Sequence, residues 1–151
     1  MPVSSIKWIP KAGGGGHLEL LDQTKLPTAT DWITCNQAAE VIDAIKRLAV
    51  RGAPAIGIAG AYAYCLAAQH TFDSASDVLG VTSVASDGRP LTDRIVAQSA
   101  LIADARPTAV NLQWAVNRMN RVLAKYDFAF LFFCNIDRKM QFQAHAFMGQ
   151  R

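Results

Sequence analysis

From Ala53 to Ala68 the chain reads Ala-Pro-Ala-Ile-Gly-Ile-Ala-Gly-Ala-Tyr-Ala-Tyr-Cys-Leu-Ala-Ala, without one charged side chain. A stretch this apolar has to be hidden from water, yet it is shorter than the roughly 20 residues that a membrane span needs. The spacing predicts a buried helix from about Pro54 to Gln69. Ala55, Gly57, Ala59, Gly60, Ala61 and Ala63 keep it thin on several sides, so neighbouring backbones can approach closely, at a cost of about 1 kcal/mol for each interior glycine. The rest of the chain must wrap this helix.

Upstream, Ile6–Ile9 and Leu18–Leu21 are short apolar runs separated by Pro10 and the Gly13–Gly16 tract, which predicts two antiparallel strands joined by a flexible loop. A polar turn over Asp22–Thr30 leads to a candidate third strand at Asp31–Thr34. A helix is expected to start near Asn36, whose side chain suits a cap, with Thr34 and Gln37 as a competing capping box. Val41, Ile42, Ile45, Leu48 and Ala49 then recur at helical spacing opposite Glu40, Asp43, Lys46 and Arg47, an amphipathic pattern.

Downstream, the Ser-, Asp-, Thr- and Gly-rich stretch between His70 and Pro90 reads as a long surface loop with one helical turn around Ser76. A helix follows from Leu91 or Thr92 to Asp104, and Arg106-Pro107 ends it, because the residue before a proline disfavours helical geometry. A fourth helix, over Thr108–Lys125, presents Val110, Trp114 and Val116 together with Leu112, Met119 and Leu123. Two apolar faces predict substantial burial. Asp127–Arg151, with Phe128, Phe130, Phe132 and Phe133 crowded together, shows no clear period. The fold class that follows is α+β, a small N-terminal antiparallel β-hairpin followed by a bundle of about four helices.

Hydrophobic residues make up 51% and charged residues 18% of the 151 residues, a balance that folds, in a length suited to a single core. Fifteen basic and 12 acidic residues give a net charge of +3 with no block of like charges, which argues against a nucleic-acid partner. Cys35, Cys65 and Cys134 are odd in number and far apart, so neither a disulfide framework nor a zinc site is expected, and a reducing compartment fits. Met1–Pro10 is too short and too broken by Lys7 and two prolines for a secretory signal.

The candidate site with the clearest physical rationale is Arg51-Gly52-Ala53-Pro54 at a predicted helix start. Unpaired amides and the positive end of the helix dipole favour an anion there. Gly52 has no side chain to obstruct approach, and Arg51 offers charge-assisted bonds to phosphate oxygens. An ordinary interhelical turn with a solvated arginine has the same spacing. Arg106 stands at a second predicted helix start, where the same two readings apply. His17, His70 and His145 lack ligand spacing. Asp22 and Asp104 suit acid–base work and equally suit a turn or a helix end. Gly13–Gly16 lacks the strand, spacing and helix start of a dinucleotide loop.

Three segments, Leu20-Leu21-Asp22-Gln23-Thr24-Lys25-Leu26-Pro27, the run from Ile45 to Gly57 that contains Arg51-Gly52-Ala53-Pro54, and Ala105-Arg106-Pro107-Thr108-Ala109-Val110-Asn111-Leu112, resemble in sequence and order the methylthioribose-1-phosphate isomerases. The likeness covers about Ile6 to Met119, and that family is related to the regulatory subunits of the eukaryotic guanine-nucleotide exchange factor for translation initiation. The resemblance implies conversion of 5-methylthioribose 1-phosphate to 5-methylthioribulose 1-phosphate in methionine salvage, in the cytoplasm or nucleus, with no metal or other cofactor. It assigns Arg51, Gly52, Ala53 and Arg106 to the substrate phosphate. Its implied partners are the sugar phosphate and a second copy or a full-length isomerase, with no nucleic acid and no membrane.

The family's catalytic cysteine and aspartate belong to a C-terminal Rossmann-like domain that this chain lacks, so no catalytic residue is assigned here and isolated turnover is not expected. Cys134-Asn135 lacks the small, glycine-containing continuation of the family's Cys-Asn motif. Residues 1–125 read as an isomerase-like N-terminal domain and 126–151 as a divergent tail, the pattern of a truncated isoform or gene-model product. The competing class is a non-catalytic fragment that pairs with a full-length isomerase or a related translation-factor subunit.

Overall fold

The computed structural model describes residues 4–12, 14–76 and 90–125. The tail, including Cys134, His145 and Phe128–Phe133, and most of the expected loop between His70 and Pro90 lie outside the described residues. Three strands come first, β1 (Ile6–Pro10), β2 (Gly16–Leu21) and β3 (Trp32–Cys35), followed by four helices, α1 (Ala38–Lys46), α2 (Ala53–Ser76), α3 (Leu91–Ala103) and α4 (Val110–Lys125). The strands form one antiparallel sheet in the order β1-β2-β3, with Trp8 opposite Leu18 and Leu20 opposite Ile33. The architecture is α+β, with a full third strand beside the expected hairpin.

Alternation along β2 turns Leu18 and Leu20 inward, both fully buried, as period-2 geometry requires. Trp8 stacks on Tyr62 of α2 with ring centroids 5.4 Å apart, and Gln69 accepts from Gly16 N–H at 3.0 Å, so the sheet is fastened to the middle of α2. That helix is the hub: Ala59, Ala61, Tyr62, Ala63, Tyr64, Cys65 and Leu66 are all buried.

Packing around α2 fixes the direction of its neighbours. A side chain at Gly60 would run into Leu112 near the start of α4 and stand 3.8 Å from Ile102 near the end of α3. Farther along, Tyr64 donates its hydroxyl to Asn120 at 2.8 Å, and Asn120 donates to Ser99 at 3.2 Å. Contacts that advance together along α2 and α4 and retreat along α3 mean that α2 and α4 run parallel, with α3 antiparallel to both.

Four local expectations need correction. The start of α1 is set by Glu40, whose carboxylate accepts from the N–H groups of Asn36 and Gln37, so the cap residue is Gln37 rather than Asn36 or Thr34. Leu48 is 41% exposed because α1 has already ended at Lys46. α2 runs on to Ser76 instead of stopping near Gln69, because Phe72 packs on the core; the Thr71 and Ser74 hydroxyls donate to carbonyls one turn back, which satisfies them within the helix. α4 is buried on one side only: Leu112, Val116, Met119 and Leu123 face the bundle, whereas Val110 is 77% and Trp114 42% exposed.

Candidate functional site

Asp22 follows β2 directly and is only 3% exposed, a position that a carboxylate tolerates only with partners. One oxygen accepts from the Thr24 N–H at 3.1 Å and the Thr24 hydroxyl at 2.6 Å, closing an Asx-type turn, and the other accepts from Arg47 Nη1 at 3.1 Å. The Thr24 hydroxyl is the largest influence on the Asp22 carboxyl and holds it below its ordinary range, with Arg47 adding to this and burial working against it. A carboxyl depressed in the folded state contributes stability above its unfolded value, about 4, and loses it as the pH falls through the folded value. The Tm gap between the wild type and Asp22→Asn should therefore be widest at neutral pH and shrink on acidification; a gap indifferent to pH would mean that the charge plays no part.

Arg47 caps α1, its Nε donating to Asp43 at 3.0 Å. Leu48 N–H donates to Ile45 O and Ala49 N–H to Ala44 O, at 3.3 and 2.9 Å, with Leu48 left-handed at φ 63°. This is a Schellman turn in which leucine occupies the usual glycine position, at a cost on the order of 1 kcal/mol. Bonds from the loop after β2 hold both flanks of the strained residue: Arg47 is tied to Asp22, and the Ala49 carbonyl accepts from Gln23 N–H at 2.9 Å.

Arg51, Gly52, Ala53 and Pro54, which follow, are all exposed. The Gly52 carbonyl accepts the first bond of α2, from Ile56 N–H at 3.0 Å. The amides of Ala53 and Ala55 therefore have no acceptor within the helix, and Pro54 has no N–H to contribute. Gly52 has φ 90°, a conformation costly for any other residue, and no atom lies within 4 Å of where its Cβ would stand. Arg51 Nε donates to Leu48 O at 3.4 Å, leaving its two Nη groups without a partner among the described residues.

Because α2 and α4 run parallel, the turn that carries Arg106 sits at the same end of the bundle as the Arg51 turn. Arg106 O accepts from Ala109 N–H, and Ala109 O accepts from Leu112 and Gln113, so Val110 and Asn111 open α4 with amides that lack an intrahelical acceptor. Arg106 is partly exposed and makes no ion pair among the described residues. The carbonyl ends of α1 and α3 share this pole and would repel an anion, but most of the carbonyls there accept a hydrogen bond. Asp43, Ala44 and Ile45 accept from Arg47, Ala49 and Leu48, while Ala100, Ile102 and Ala103 accept from Asp104, Ala105 and the Gln113 side chain. Two amide-rich helix starts and two arginines thus dominate the pole, a combination suited to a phosphate.

Among the other candidates, Asp104 caps the end of α3 and so lies exposed at this same pole, two residues before Arg106, where its carboxylate opposes an anion. His17 lies 4.0 Å from Glu19 on β2, and His70 is exposed on α2; among the described residues no cluster of metal-ligating side chains forms. Cys35 and Cys65 are buried and are not in a disulfide, and burial pushes the Cys35 thiol up to about 11, which suits packing rather than nucleophilic work. Gly14 and Gly15 belong to the hairpin turn, and Gly16 opens β2. No helix among the described residues is long and apolar enough to cross a membrane. Asp22 as the anchor of Arg47 was not foreseen, although the Asp-x-Thr spacing of an Asx turn was there to signal it.

The chain is 45% identical over 123 residues to the methylthioribose-1-phosphate isomerase of Stutzerimonas stutzeri, an alignment covering 82% of this chain and 29% of that relative. The crystal structure of 5-methylthioribose 1-phosphate isomerase from Pyrococcus horikoshii superposes with a TM-score of 0.71 at 25% identity, covering 95% of this chain and 35% of that one. Translation initiation factor eIF-2B, subunit delta, from A. fulgidus superposes with a TM-score of 0.70 at 32% identity over 95% and 36%. The chain thus spans about a third or less of each of these proteins. The model of the initiation factor 2 subunit family matches residues 49–129. That match begins at the carbonyl gripped by Gln23, takes in both arginine turns and follows α4 to its end: the chain belongs to the initiation factor 2 subunit family.

Proposed function

We propose that this chain is the phosphate-holding part of a methylthioribose-1-phosphate isomerase, with Arg51, Gly52, Ala53 and Arg106 binding the substrate phosphate. The observation that carries this reading is the shared pole, where both helix starts open beside an arginine and most of the competing carbonyls are already bonded. The isomerases among its relatives add the substrate class. Gripping the phosphate would orient the sugar for ring opening and for hydrogen transfer between its first two carbons, with binding energy drawn from atoms remote from the reaction. Groups for the transfer itself are expected from a C-terminal domain of the family, so residues 1–125 act here as a binding domain and residues 126–151 as an appended tail, in the cytoplasm.

Phosphorus NMR of 5-methylthioribose 1-phosphate with the purified chain tests this. Broadening without conversion is the expected result. Conversion to the ketose phosphate would place catalytic groups within these 151 residues and overturn the division of labour, while an unchanged spectrum would remove the binding role. The exposed Val110 and Trp114 on the outer face of α4 favour a second reading, a fragment that pairs with a full-length isomerase or a related translation-factor subunit. In that case mixing would change the size or activity of the complete enzyme.

A further inference from the structure

The Arg51 turn is not rigid by its own sequence. It hangs from a left-handed leucine, and the regular element before it, α1, ends five residues earlier at Lys46. What fixes it lies about 25 residues upstream in the chain. The buried Asp22 carboxylate holds Arg47 at 3.1 Å, and the adjacent Gln23 amide holds the Ala49 carbonyl at 2.9 Å. The Gln23 bond grips the backbone immediately after Leu48, and the Asp22 bond holds the side chain of the residue before it, while the Leu48 carbonyl receives Arg51 Nε at 3.4 Å. Asp22 is itself over-determined by two bonds from Thr24, and its N–H donates to Asp31 O at 2.9 Å, so the anchor is tied into the edge of the sheet.

We infer that Asp22 is a positioning residue for the anion site, acting through Arg47 to hold the Leu48–Gly52 backbone in the conformation that presents Arg51 and the first amides of α2. It does not touch the anion. Its buried charge is satisfied by Thr24 and Arg47, and its effect on binding is transmitted through the strained turn, a common place for proteins to hold a functional geometry that the local sequence disfavours. The inference rests on the phosphate-binding reading above but makes a claim of its own about the unliganded chain.

The test uses Asp22→Asn and, because substitution at a buried position risks unfolding, Arg47→Gln as well, whose side chain is 42% exposed. Two readouts are taken at a temperature where thermal unfolding shows every variant folded. In the unliganded chain, nitrogen–proton NMR should show the Leu48–Gly52 amides displaced and exchanging faster in both variants. In a titration with inorganic phosphate, both should bind about three- to tenfold more weakly than the wild type, a coupling of the size seen between groups in one bonded network. Lowered Tm with unchanged amides and unchanged affinity would reduce Asp22 to a stabilising role and overturn the inference. Displaced amides in a chain whose wild type binds no phosphate would uphold the positioning of the turn and refute the phosphate reading, so the two fail separately.

Discussion

Replacing Gly60 with valine should destabilise the fold by about 3 kcal/mol, the upper part of the range for forcing extra carbon into a packed core. α2 and Leu112 of α4 meet so closely at this point that even a methyl group collides with the Leu112 side chain. Leu112 is fully buried, so any shift of its side chain takes place within a packed core. The glycine costs about 1 kcal/mol of helix propensity relative to alanine, and the close approach of two parallel helices offsets that cost. In thermal unfolding the loss appears as a drop in Tm of about 2–4 °C per kcal/mol for a chain of this size. Leu112→Ala is destabilising alone, yet in that background the penalty of Gly60→Val should largely disappear; a penalty that persists would place the strain elsewhere.

Arg51→Ala should weaken phosphate binding by about ten- to a hundredfold, the worth of one or two charge-assisted hydrogen bonds, while leaving Tm nearly unchanged. Arg51 is exposed, and its one side-chain bond among the described residues is the long one to Leu48 O. A surface arginine with so little structural work separates binding from folding more cleanly than any other residue of the pole. Isothermal titration with a phosphate monoester, beside a thermal melt, measures both. A melt that falls with no change in affinity would assign Arg51 to the fold.

The core of this fold was legible because its residues speak locally. The alternation of Leu18 and Leu20 marks a half-buried strand, and the small-residue run after Pro54 marks a helix approached closely from several sides. The Arg51 turn was legible because glycine and proline punctuate a helix start in a recognisable way. Leu48 was not: leucine carries no signal for a left-handed backbone, and its place in the apolar spacing of α1 suggested core. Its conformation is imposed by the distant grip of Asp22 and Gln23 on its flanks. Val110 and Trp114 misled for the opposite reason, since an apolar side chain at helical spacing records what a helix could bury without saying whether a neighbour is there. The parallel course of α2 and α4, which brings Arg51 and Arg106 to one pole, depends on Gly60 meeting Leu112 and Tyr64 meeting Asn120, contacts about 50 residues apart in sequence.

The claim that two helix starts form one anion site is tested most directly by a double-mutant cycle, in which affinity for 5-methylthioribose 1-phosphate is measured for the wild type, Arg51→Ala, Arg106→Ala and the double variant. If both arginines grip the same phosphate, each single change weakens binding, and the double change costs less or more than their sum by at least about 0.5 kcal/mol, beyond the scatter expected of independent sites. Strict additivity, or an Arg106→Ala variant that binds like the wild type, would contradict a shared site and leave Arg51 and its helix start to act alone.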